Sequence, residues 1–149
     1  MKNDFVRRWL TVFLFILFIF SQSLLAGPVS AQESGRISAL IMQVLVRMHI
    51  KVSFDTLHHI IRKLAHFSEY LLLAILVNHA SSSKPLFLNR KLCVLVFGIA
   101  IPLCDETLQR FVPGRAGMFT DCLIDMSGYA CGTVLYVLMS RIRAAFAKQ

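Results

Sequence analysis

Four cysteines occur in this chain, at positions 93, 104, 122 and 131, and no two of them form a Cys-x-x-Cys pair. Their spacing fits no zinc pattern. All four lie in apolar stretches, where free cysteine acts as a small hydrophobe. Cys104 and Cys122 reach similar depth in the arrangement drawn below, but this is no disulfide-dense secreted framework and a bridge is not expected. A Gly-x-Ser-x-Gly element is also missing, and Ser68 has no strand context, so no serine-nucleophile motif is present. Acidic residues are scarce: 8 Asp+Glu against 16 Lys+Arg, for a net charge of +8. Most of the basic residues flank apolar blocks. That placement fits anionic lipid and topology better than nucleic acid, which is not expected as a partner.

Apolar residues are what the chain has in excess. It is 56% hydrophobic with a mean hydropathy of +0.65, where soluble domains run at about 45–50%. The excess falls in blocks, which is how membrane spans read. The expected fold class is all-α: a polytopic membrane helical bundle of about four transmembrane helices with an extra amphipathic helix. Residues 1–36 form an N-terminal transmembrane helix and link, and 37–149 the remainder of a single membrane domain.

The first block runs from Trp9 to Phe20 and continues more weakly to Ala26, with Lys2, Arg7 and Arg8 before it. A basic start, an apolar core and Val29-Ser30-Ala31 also resemble a signal peptide with its cleavage site; a retained span is the favoured reading. Gly27-Pro28 ends the block and Gln32 to Arg36 reads as a polar link. Ile37, Leu40, Ile41, Val44, Leu45 and Met48 then recur with helical period. Gln43, Arg47 and Lys51 interrupt them, so residues 37–51 are expected to lie at the interface or to cap the bundle. Ser53 or Asp55 caps the next helix, from about Leu57 to Asn78. Ser81 to Pro85 reads as a loop. A third span, Leu92 to Cys104, continues through Asp105 to Gln109, kinked by Pro102. Phe111 to Phe119 is a turn, and the fourth span covers about Phe119 to Met139.

With the N-terminus in the cytoplasm and four spans, the inside receives Lys2, Arg7, Arg8, Lys84, Arg90, Lys91, Arg141, Arg143 and Lys148. Seven basic residues fall outside. Every inside segment is short and basic, which is where the positive-inside rule has force. Both termini are therefore expected in the cytoplasm of a multi-pass protein of the bacterial cytoplasmic membrane.

This topology gathers polar side chains on one side. His66 and Glu69 share a helix face, with Tyr70 four residues from His66. Asp105 and Gln109 are i, i+4 at the end of the third span, with Glu106 beside them. Asp121 and Asp125 are i, i+4 at the start of the fourth. Arg115 lies in the Pro-Gly-Arg turn between. An ionised residue at a span centre costs about 2.5–3.5 kcal/mol on insertion scales, so such groups face the bundle interior and pair. A purely structural account is the alternative, since Asp121 at a helix start complements the dipole; Asp125, a turn deeper, fits that role less well. His58 and His59 read as interfacial residues and His79 as a boundary residue. Gly128 and Gly132 continue the Asp121–Asp125 face as a packing seam.

Three segments carry a family resemblance: Ala65-His66-Phe67-Ser68-Glu69-Tyr70, the run from Asp105-Glu106 through Gln109 to Pro113-Gly114-Arg115, and Asp121 through Asp125 to Gly128. In order and spacing the chain resembles the VanZ-like family of small bacterial membrane proteins over roughly Phe20 to Met139. Ser21 and Ser23 fit loosely, and the Arg36–Lys51 stretch departs from the pattern. The resemblance implies a four-span protein of the bacterial cytoplasmic membrane, and it carries the context of resistance to the glycopeptide teicoplanin.

The candidate site is His66, Glu69, Tyr70, Asp105, Glu106, Gln109, Arg115, Asp121 and Asp125. The expected function is to bind or modify a membrane lipid or lipid-linked envelope precursor at the outer leaflet, Arg115 gripping a phosphate or carboxylate with its planar fork. The alternatives are a membrane-embedded hydrolase or transferase using His66 as general base, and a structural accessory subunit. An alternating-access transporter is disfavoured, because four spans show no visible repeat. Neither cofactor nor metal is expected, although His66 and the acids have the imidazole and oxygen donors to hold a divalent cation.

Overall fold

Where apolar blocks were expected to span, helices form, and each starts at a residue that caps it or complements its dipole. The computed structural model describes residues 2–25, 27–87, 89–115 and 117–147. Ala26 and Lys148, which entered the span and charge assignments above, lie outside the described residues. Among those residues there are five helices and no strand: α1 (Lys2–Ser23), α2 (Gly27–Arg47), α3 (Phe54–Ser83), α4 (Arg90–Gln109) and α5 (Phe119–Phe146).

α1 begins seven residues before the expected Trp9. Asp4 in its first turn pairs with Arg8 at 2.8 Å and Arg7 at 3.0 Å, and an acid there complements the helix dipole. Ser53 caps α3 as expected, its Oγ accepting from the Thr56 amide at 3.2 Å. The serines expected in a loop instead extend α3 to Ser83. Ser82 Oγ donates back to the His79 carbonyl at 2.7 Å, a local bond that a helix tolerates. Asn89 caps α4 by accepting from the Leu92 amide at 2.8 Å.

A larger correction concerns residues 27–36. They are not a break and polar link: α2 runs unbroken across them and across the 36/37 boundary. Most of its apolar stripe is exposed, which suits the interfacial one of the two expected placements. Ser38, Met42 and Leu45 turn toward the protein, whereas Ile37, Leu40, Ile41, Val44 and Met48 are exposed. α2 packs on α3. It ends in a Schellman motif: the Ile50 amide bonds the Leu45 carbonyl at 2.9 Å, the His49 amide bonds Val46 at 3.0 Å, and His49 holds φ 58°.

The core lies between α1, α3, α4 and α5. Trp9, Val12, Ile16 and Ile19, at helical spacing on α1, meet Tyr70, Leu73, Ala74 and Val77 of α3, Cys93 and Phe97 of α4, and Tyr129 of α5. Other faces are equally apolar but uncovered, including Leu10, Leu14, Leu17, Leu95, Val134 and Leu138. A helix apolar all round is buried in protein or lipid. Two of the five, α4 and α5, are long and apolar enough to cross a membrane. α3 carries His66, Glu69, Asn78 and His79 within its apolar run.

Cross-links fix the helix directions. At one end Trp9 Nε1 donates to the Lys84 carbonyl at 3.1 Å and Arg8 to the His79 carbonyl at 3.2 Å. There too Asn78 Nδ2 reaches Thr133 Oγ at 3.2 Å, and Arg90 reaches Asn78 Oδ1 at 3.3 Å. At the other end Gln109 bonds Ser23, and Lys63 pairs with Asp121. Neighbouring helices α1, α3, α4 and α5 thus alternate in direction. α2 leaves the end of α1 and returns to the start of α3, both at this second end. Its 21 residues span about 31 Å, and the six residues of 48–53 reach back about 20 Å at most. It therefore does not run the depth of the bundle.

Candidate functional site

The second end of the bundle collects the candidate residues because α3, α4 and α5 all place polar turns there. α3 and α5 approach unusually closely. A Cβ added at Gly128 would meet the Phe67 carbonyl, and one at Gly132 the Leu71 carbonyl. With no side chain between the two backbones, His66 and Tyr70 on α3 are brought against Asp125 on α5.

His66 Nδ1 lies 3.9 Å from Glu69 Oε2 and 3.9 Å from Asp125 Oδ1. Asp105 comes from α4 to the same place: His66, Asp105 and Asp125 each bring a ligand-type atom within 4.8 Å of the others. Asp105 and Asp125 are essentially inaccessible, at 0% and 1% exposure. Gln109 Nε2 donates to Asp105 Oδ2 at 3.1 Å and to Ser23 Oγ at 3.2 Å, which ties α1 into the site. Asp105 Oδ1, both oxygens of Asp125, Glu106 Oε2 and the Tyr70 hydroxyl are buried without a hydrogen-bond partner. Buried polar atoms normally find partners, and each exception asks for an explanation.

The remaining candidates sit around this centre. Asp121, nearer the surface, pairs with Lys63 at 3.3 Å. Glu106 faces the turn at Gly117, which has no room for a Cβ against the Glu106 carbonyl at 2.5 Å. Arg115 departs from its expected role. Its Nη2 donates to the Gln22 carbonyl at 2.9 Å and its Nε to the Leu25 carbonyl at 3.1 Å. Gln22 lies in the last turn of α1, where its carbonyl also accepts from the Leu25 amide at 3.3 Å, so two of the five guanidinium donors fasten the Pro-Gly-Arg turn to α1. Burial pushes the Arg115 guanidinium below its usual pKa and the Arg62 charge pushes the same way, against the pull of Asp105, Glu106 and Glu69.

Lys63, Arg62 and Ser23 are the members that sequence reasoning placed outside the site. The signal for Lys63 was available, because it precedes His66 by three residues and so shares its face. Ser23 had no local signal; only the meeting of α1 with α4 makes it a partner of Gln109. Ser68 is exposed and its Oγ donates to the Leu64 carbonyl at 2.7 Å, which leaves it no part in the cluster. All four cysteines are free thiols.

The His66–Glu69, Asp105–Gln109, Arg115 and Asp121–Asp125 elements thus occupy one end of a helical bundle in the order and grouping seen along the chain. The VanZ/LLP1 family profile matches residues 8–140. The chain belongs to the VanZ/LLP1 family. Its match spans α1 through most of α5, so the family unit includes the whole core and every member of the cluster. Comparison with curated proteins and with solved structures found no match to either. Family membership together with two apolar helices marks a membrane protein.

Proposed function

We propose that this VanZ/LLP1 protein is a four-span protein of the bacterial cytoplasmic membrane, with both termini in the cytoplasm. It binds or modifies a lipid-linked cell-envelope component at the outer leaflet, and through it alters susceptibility to glycopeptides of the teicoplanin kind. The observation that carries this reading is the gathering of buried acids and His66 from three helices at one end of an otherwise apolar bundle. Charges placed so expensively in a membrane protein are retained for ligands or for chemistry. An apolar groove of about 400 Å³ between α4 and α5 supports a lipid substrate. It is lined by Leu95, Gly98, Ile99, Met126 and Tyr129, and Met126 follows Asp125 directly. With Arg115 fastened to two backbone carbonyls, Arg62 is a cation well placed for an anionic head group. It is half-buried beside His66 and makes no ion pair among the described residues.

The test uses a strain in which deletion of the gene changes glycopeptide susceptibility. Glu69→Gln and Arg62→Gln, expressed at wild-type membrane abundance, are expected to fail to restore it. Full restoration by both variants would defeat the proposal. A second reading, a membrane-embedded hydrolase or transferase, is favoured by His66 lying 3.9 Å from two carboxylates, the setting of a general base acting on water.

A further inference from the structure

Among the described residues, no Lys or Arg forms an ion pair with Asp105 or Asp125. Lys63 is engaged by Asp121 at 3.3 Å, and Arg115 directs its bonds to Gln22 and Leu25. Asp105 Oδ2 accepts from Gln109, with the Ser23 and Tyr70 hydroxyls close by, while Oδ1 makes no hydrogen bond of ordinary length. Neither oxygen of Asp125 has one. His66 faces Asp125 and Glu69 at 3.9 Å, too far for a hydrogen bond but within the separation of two ligands on one ion. With metal–ligand bonds of about 2.0–2.2 Å, ligand atoms on one tetrahedral or octahedral ion stand about 3–4.4 Å apart, so the three donors, which lie within 4.8 Å of one another, draw together on binding.

We propose that His66, Asp105 and Asp125 bind one divalent transition-metal ion of the zinc or manganese class. Imidazole plus carboxylate selects this class over magnesium or calcium, which take oxygen alone, and the absence of a thiolate in the set disfavours copper(I). The Gln109 bond to Asp105 Oδ2 is the orienting contact that metal-ligating carboxylates ordinarily have. The donors come from α3, α4 and α5, so the ion also ties three helices together. The assignment stands on the donor geometry alone and does not depend on the envelope-lipid reading.

The full chain, free of affinity tag and with exposed Cys104 and Cys131 changed to serine, is purified in nanodiscs and stripped with chelator. It is then titrated with zinc chloride and with manganese chloride. The expected result is stoichiometric uptake of one of the two metals. His66→Ala and Asp125→Asn weaken it at least about 10-fold and Gln109→Ala about 10–100-fold, whereas Asp4→Asn at the far end changes nothing. X-ray absorption of the loaded wild-type protein shows a nitrogen and oxygen shell with an imidazole component, which keeps the test decisive if the variants misfold. Absence of stoichiometric uptake, a sulfur shell, or affinity indifferent to the ligand variants overturns the proposal.

Discussion

Arg115 shows how a residue's type and its use can part company. Its type suggests an anion clamp; its bonds make it a fastener, with two charge-assisted donations onto the end of α1. Hydrogen bonds to charged groups contribute about 1.5–3 kcal/mol each. Arg115→Ala is therefore expected to lower the melting temperature in detergent clearly, and Arg115→Lys to recover only part, because one ammonium cannot reproduce the fork. A melting temperature unchanged in both variants would contradict the fastening role. The shared face of His66 and Glu69 was legible in i, i+3 spacing, and the meeting of His66 with Asp125 followed only from the topology that brings α3 and α5 to one end. The fastening of Arg115 to backbone was not legible, since carbonyls at a helix end leave no mark in a sequence.

At the level of elements, α3, α4 and α5 were legible because their apolar runs are long. α2 was misread at its start. Gly27-Pro28 suggested a stop, yet proline is well tolerated in a helix's first turn, and this helix begins at Gly27. Its apolar stripe was read as interfacial or capping; Leu45 turns inward with Ser38 and Met42 while the rest of the stripe is exposed, which suits the interfacial placement. His49, in the left-handed region at the end of α2, carries a cost that glycine avoids. His49→Gly is expected to stabilise the protein by about 1 kcal/mol, read as a rise in melting temperature. Gly128→Ala is expected to do the opposite, costing about 1–3 kcal/mol by overpacking, because the new methyl meets the Phe67 backbone and not a side chain that can swing away.

For the whole molecule, the arrangement of α1 bears on whether the N-terminal segment stays. α1 supplies Trp9, Val12, Ile16 and Ile19 to the core and Ser23 to the Gln109 bond. Cleavage after Ala31 would strip all of them, so the intact mass of the purified protein is expected to include α1. Sidedness can be read with Phe111→Cys and Phe87→Cys in a background of Cys104→Ser and Cys131→Ser. Residue 111 is 82% exposed and is expected to react with a membrane-impermeant maleimide in intact cells, while residue 87 is protected. Equal labelling would refute the four-span topology. The contact of Gly128 and Gly132 with the carbonyls of Phe67 and Leu71 has a mechanical sequel. Two helices meshed backbone to backbone resist slipping a turn past one another, so α3 and α5 form one stiff pair that holds His66 and Asp125 at a set separation.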